Sequence, residues 1–126
     1  MTRPFAYARK HRLQHARQFD AVYAARVKES RGPLSIFAIP NDLGHPRLGL
    51  SVGRKVGTAP KRNRIKRLLR ESFRLLQHDL PRGYDIVITV RPHETALLAD
   101  YQRMLSSALV RLHGKWEEKT RVENGG

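Results

Sequence analysis

The sequence predicts an α+β fold in which about four strands form one sheet and three helices pack on it, in the order α-β-β-β-α-β-α. Three observations carry this expectation. Short β-branched apolar runs are bounded by Gly and Pro; longer segments before, between and after them repeat apolar residues at helical spacing. At 126 residues with 40% apolar composition, the chain has the length of one domain with one core. Helices and strands alternating in this way bury their apolar faces against each other rather than in separate units.

Taken in order, residues 1–12, "MTRPFAYARKHR", are basic and aperiodic and are expected to form a flexible arm. From 13 to about 25, Leu13, Ala16, Phe19, Val22 and Tyr23 recur at helical spacing and predict the first helix. A short strand near 27–30 is weakly signalled, and Gly32-Pro33 then punctuates the chain. "LSIFAIP" over 34–40 and "RLGLSV" over 47–52 read as strands separated by the loop "NDLGHP". Thr58 is placed to cap a helix over about 59–78, and Pro60 fits a first turn that needs no amide donor. "PRG" at 81–83 ends that helix, and "YDIVITV" over 84–90 is a buried strand stopped before Pro92. Leu97, Leu98, Tyr101, Met104, Leu105, Ala108, Leu109 and Leu112 spell a last amphipathic helix. Residues 117–126, "EEKTRVENGG", read as a frayed tail, so the expected domain runs over 13–116.

Charge narrows the function more than composition does. The net charge is +14 and the isoelectric point about 11.2. Residues 1–31 hold eight basic and two acidic residues and 54–74 hold nine and one, while the rest of the chain is balanced. A field concentrated like this costs self-repulsion unless a polyanion relieves it, which points to nucleic acid ahead of an anionic membrane. The chain has no cysteine, which excludes disulfides and thiolate metal sites. With no apolar run near the ~18–20 residues of a membrane span and no apolar signal-peptide core, it is expected to be soluble and cytoplasmic.

The densest charge is "KRNRIKRLLRESFR", 61–74, where seven of fourteen residues are Lys or Arg and Glu71 is the one acid. Ile65, Leu68, Leu69, Phe73 and Leu76 form its apolar stripe, leaving Arg62, Asn63, Lys66, Arg67, Arg70 and Arg74 largely on the other side. Residues 62, 66, 70 and 74 stack in an i+4 row, which works against an isolated helix by roughly 0.2–0.5 kcal/mol per like-charged pair. A merely solvated face would mix signs; this one does not, and contact with nucleic acid accounts for it better. Arginine suits bidentate phosphate contact, and Asn63 can both donate and accept toward a 2′-hydroxyl or base edge, which favours RNA. The six histidines, His11, His15, His45, His78, His93 and His113, are dispersed. The i+4 pair His11 and His15 lacks a third metal ligand, and no general acid and base converge in the pattern. Neither a catalytic nor a metal site is assigned from the residues.

The stretch "RLGLSVGRKVGTAPKRNRIKRLLRESFR", 47–74, resembles the signature of the bacterial ribonuclease P protein component. "HRLQHARQFDAVYAARVKES" is similar to that family's first-helix segment, with Phe19 and Tyr23 at its two aromatic positions, and "GYDIVITVRP" follows in the expected order. Pro60 stands where the family often has a branched apolar residue, and Gly53-Arg54 replaces a common Ser-Lys. The resemblance implies a two-layer α/β sandwich, ribosomal protein S5 domain 2-like, with a left-handed βαβ crossover where general rules favour the right-handed one. It implies an accessory subunit whose partners are the catalytic RNA subunit and precursor tRNA, with no membrane and no small-molecule substrate. The RNA subunit would perform the magnesium-dependent hydrolysis that removes the 5′ leader, the metal being held mainly by RNA and substrate.

By position, Arg62, Asn63, Arg64, Lys66, Arg67 and Arg70, with Arg74 on the same helix, would dock on the catalytic RNA. Phe19, Tyr23 and Phe37 would line a cleft for the single-stranded leader, where aromatic faces stack on unpaired bases. From the residues alone Phe19 and Phe37 read as core ahead of cleft, since one lies on an apolar helix stripe and the other in an alternating strand. Arg54 and Lys55 would hold the leader's backbone, or are simply solvated. A ribosomal or ribosome-assembly protein, binding RNA without a role in cleavage, is the rival reading, followed by a nuclease that needs no RNA subunit.

Overall fold

A computed structural model describes residues 9–80 and 82–125. Three helices and a four-stranded mixed sheet follow in the order α1 (Ala16–Ala24), β1 (Lys28–Arg31), β2 (Leu34–Pro40), β3 (Arg47–Val52), α2 (Ala59–Leu76), β4 (Tyr84–Val90) and α3 (Leu98–Gly125). In the sheet the order is β1-β2-β4-β3, with β2 antiparallel to both β1 and β4 and β3 parallel to β4. The parallel pair needs a long connection, and α2 supplies it. The last strand therefore lies inside the sheet, which is why "YDIVITV" is apolar at nearly every position.

The strand weakly signalled near 27–30 is present one residue later, as β1. It folds back on β2 through Gly32, whose φ of +54° an L side chain rarely adopts, followed by Pro33. Alternation along the strands then sorts side chains between two faces. Leu34, Ile36 and Ala38 of β2, Leu48 and Val52 of β3, and Tyr84, Ile86, Ile88 and Val90 of β4 meet Ile65, Leu69 and Phe73 of α2 and Tyr101, Leu105 and Leu112 of α3. That is the main core, and it makes the sheet and these two helices a sandwich. Helix α1 lies on the opposite face, where Leu13 and Val22 pack with Val87 of β4 beneath Phe19, Tyr23, Phe37 and Ile39.

Both chain ends carry more structure than the sequence suggests. Of the predicted arm, residues 1–8 lie outside the described residues, but Arg9–His11 form a 3-10 turn. The Leu13 amide then donates to the Leu48 carbonyl at 3.0 Å, and Arg12 bridges to Leu48. The first helix starts later than expected, at Ala16, because the Gln18 side chain accepts from the amides of Gln14 and His15 and fixes the entry there. It stops at Arg26, which takes the left-handed φ of +57° that commonly ends a helix. The basic helix ends at Leu76 with a single 3-10 turn, Gln77–Asp79; Pro81 of the predicted stop lies outside the described residues.

Residues 117–125, expected as a frayed tail, continue α3. Gly114 costs roughly 1 kcal/mol relative to Ala but no proline intervenes, and tertiary contacts hold the helix past it. The Trp116 indole donates to the Ala38 carbonyl at 2.7 Å and Lys115 pairs with Glu29; within the helix itself Glu118 pairs with Arg121.

Candidate nucleic-acid interface

Helix α2 begins where Thr58 accepts from the Lys61 amide at 3.4 Å, with Ala59 and Pro60 in the first turn. That turn holds no acid, so its cations add to the positive end of the helix dipole rather than offsetting it. Ile65, Leu69 and Phe73 are buried as the stripe predicts, and Ser72 turns its hydroxyl inward to the Leu68 carbonyl at 2.9 Å.

The seven residues predicted on α2 do not share one face. Asn63, Arg67, Arg70 and Arg74 line a single shallow concavity with Glu71. Asn63, Arg64 and Arg67 are exposed. Arg62 and Lys66 sit nearer the buried stripe and are half-buried, and Arg62 donates to the Gly57 carbonyl at 3.2 Å, tying the helix to the turn before it. The expected i+4 row of 62, 66, 70 and 74 thus divides, because 3.6 residues per turn carries its members around the cylinder. Arg74 is partly neutralised: its Nε donates to Glu71 at 3.0 Å, and that hydrogen bond holds the Glu71 carboxyl below the usual carboxylate range despite partial burial.

The aromatic residues gather on the other face of the sheet. Tyr23 stands edge-on to Phe37, centroids 4.9 Å apart, and its hydroxyl shares a 3.0 Å hydrogen bond with Thr89. Lys28 lies over Phe37 at 5.6 Å. Phe19 rests on Gly49, where a β-carbon would come within 2.5 Å of its ring, so the glycine makes room for it. All three rings are half-buried. Each ring therefore has one side on the Leu13, Val22 and Val87 cluster and another toward solvent.

Arg54 and Lys55 occupy a 3-10 turn just past β3, and both are exposed. At the same end of the sheet stands an exposed cation the sequence reading did not single out, Arg91, directly after β4. It donates to the Ser35 hydroxyl at 2.7 Å and also bonds the Gly32 carbonyl. Its only sequence signal is a cation between the end of a buried strand and Pro92. At the opposite end Asp85 accepts from Arg47 through both carboxylate oxygens, at 2.8 and 2.7 Å, and from Asn41 at 2.7 Å, which pins β3 and the preceding loop to β4.

The histidines take structural places. His11 is buried against the edge of His45, His93 and His113 bond the hydroxyls of Tyr101 and Tyr84, and His15 precedes α1. Among the described residues no group of three or more His, Asp or Glu is arranged to hold a metal ion, and no helix is long and apolar enough to cross a membrane.

A cation-faced crossover helix on one side of the sheet and a half-open aromatic trough on the other place the chain in a class of small, basic α+β proteins. The family model described as Ribonuclease P matches residues 7–113, and the chain belongs to that family. It is similar to the ribonuclease P protein of Thermotoga maritima, at 30% identity over 79% of this chain and 96% of that one, with a TM-score of 0.71. It is also similar to the ribonuclease P protein of Staphylococcus aureus, at 26% identity over 82% of this chain and 94% of that one, with a TM-score of 0.69. Family and fold together make the chain a ribonuclease P protein subunit, part of a ribonucleoprotein endoribonuclease of tRNA processing.

Proposed function

We propose that this subunit binds the catalytic RNA of ribonuclease P through α2 and the 5′ leader of precursor tRNA through the α1–sheet trough, promoting magnesium-dependent removal of the leader. The observation that carries the reading is the separation of two chemistries on one small domain. The α2 face offers Asn63, Arg67 and Arg70 in one concavity, flanked by Arg62, Arg64 and Lys66, with Arg74 held by Glu71. Such a surface suits a folded RNA backbone, which presents phosphates at many angles. The trough offers Phe19, Tyr23 and Phe37 half-exposed, with Arg54 and Lys55 beyond the end of β3. That combination suits an unpaired strand, whose bases stack without a demand for sequence.

In this reading the magnesium ion is held mainly by the RNA subunit and the substrate. The chain's own part is electrostatic: its cations offset repulsion between leader, tRNA and catalytic RNA, which lowers the magnesium concentration the assembly needs. Its place of work is the cytoplasm, where precursor tRNA is made.

The test is cleavage of a precursor tRNA at low magnesium by the protein alone, by a bacterial ribonuclease P RNA alone, and by both. Cleavage by the mixture far above either component is expected. Cleavage by protein alone would make the chain a nuclease in its own right, and no enhancement would return it to the ribosomal reading.

A further inference from the structure

Strand register places a line of hydroxyl side chains across the face of the sheet that α1 only partly covers. Ser30 of β1 pairs with Ser35 of β2, Ser35 pairs with Thr89 of β4, and Thr89 pairs with Ser51 of β3. Directly paired residues share a face, and this face is the one opposite the main core, since Ile36, Ile88 and Leu50, one residue along, pack into that core. All four strands thus contribute a Ser or Thr to one row. At about 4.8 Å between strands the row is about 14 Å wide.

The neighbours of the row match one kind of ligand. On one side Tyr23 reaches over it, its hydroxyl 3.0 Å from Thr89, and the next row holds Phe37 and Gly49, with the Phe19 ring over Gly49. Beyond its other side are the exposed cations Arg54 and Arg91, with the Arg91 guanidinium bonded to the Ser35 hydroxyl. Ser30 and Ser51 are exposed, Thr89 is half-buried, and Ser35 is buried with its hydroxyl bonded to Arg91. A base on the aromatic rings has its sugar displaced to one side and its phosphate further out. Aromatic row, hydroxyl row and cation edge follow that same sequence of chemistries. A hydroxyl both donates and accepts, as does a ribose 2′-hydroxyl, whereas deoxyribose offers neither group there.

We infer that Ser51 and Thr89, with the Tyr23 hydroxyl, contact ribose 2′-hydroxyls of the bound strand, so that the trough selects an RNA leader over a DNA leader of the same sequence. The inference rests on the leader-binding reading above and adds a specificity to it. Ser30 continues the row at the sheet edge, while the buried Ser35 holds Arg91, which takes a phosphate. The preference is modest, because exposed hydroxyls deprived of a ribose partner return to water; about fivefold is the expected size.

The experiment measures the affinity of the protein, assembled with a bacterial ribonuclease P RNA, for mature tRNA and for precursors whose leader carries single deoxynucleotide substitutions scanned along its length. Wild type is expected to lose about fivefold at a short run of adjacent leader nucleotides and nothing elsewhere in the leader. In the double variant Ser51→Ala, Thr89→Val that loss should shrink to less than about twofold, while Thr89→Ser alone should retain it. No loss in wild type, a loss spread evenly along the leader, or a loss undiminished in the double variant would overturn the inference. These outcomes are distinct from failure of the leader reading itself, which would appear as wild type binding precursor no more tightly than mature tRNA.

Discussion

Gly49 is where one missing atom matters most. A β-carbon at this position would lie 2.5 Å from the Phe19 ring, too close for any side chain to be accepted without a shift. Gly49→Ala should therefore push Phe19 outward and cost about 1–3 kcal/mol by overpacking. Thermal melting should show the loss, and precursor affinity should fall with it while mature tRNA affinity does not. His11 makes a different prediction. Burial first, then the nearby His45, Lys10 and His78, hold its imidazole below the ordinary 6.5. The native state thus takes up this proton less readily than the unfolded chain does. Its contribution is intact above about pH 6.5 and is lost as pH falls below it toward the depressed native value. Melting temperature should drop between about pH 7.5 and about pH 5.5, and His11→Gln should flatten that slope. Neither feature could be read from sequence: His11 meets His45 and Gly49 meets Phe19 only once β3 is laid beside the N-terminal segment.

At the scale of elements, α2 presents two faces with separable consequences. Arg67 is exposed and Arg70 half-exposed on the concave side, away from Ile65 and Leu69. Replacing both with Ala should leave the melting temperature within about 2 °C, since substitutions outside the core are usually near neutral. It should reduce the slope of log affinity for the catalytic RNA against log salt by about 1.5, as expected for two lost phosphate contacts. An unchanged slope would remove these two arginines from the RNA contact. Helix α3 divides along its length instead. Residues 117–123 are exposed, whereas Trp116 reaches the Ala38 carbonyl. Truncation after residue 117 should barely change stability, while Trp116→Ala should cost about 2 kcal/mol, less than a fully buried tryptophan, as read by denaturant midpoint. The strand limits 34–40, 47–52 and 84–90 were legible because β-branched runs end at Gly, Pro or polar loops. The extent of α3 was not, because residues 117–123 are exposed and no buried stripe marks them.

Across the whole molecule, a net charge of +14 on 126 residues sets stability and binding against each other. In the free protein, raising salt from about 50 to about 500 mM should screen self-repulsion and raise the melting temperature by several degrees. The same change should weaken binding to RNA by orders of magnitude. Bound RNA should itself stabilise the fold, by about 2.7 kcal/mol at a hundredfold excess over the dissociation constant. A free protein whose melting temperature falls with added salt would show that the cations are already paired within the fold.

The sequence by itself determined the strands, the apolar stripe of α2, the basic charge and its confinement to two stretches, and the motif that marks the family. Each of these is written in local spacing, and local spacing is what periodicity, Gly and Pro report. Only the tertiary structure decided which side of the sheet α1 occupies, that the α2 cations split between a concavity and a flank, and that Phe19, Tyr23 and Phe37 are half-buried together. It alone aligned Ser30, Ser35, Thr89 and Ser51. These depend on register between strands up to about fifty residues apart in sequence, and register is set by long-range burial of one sheet face, which no window of the chain contains.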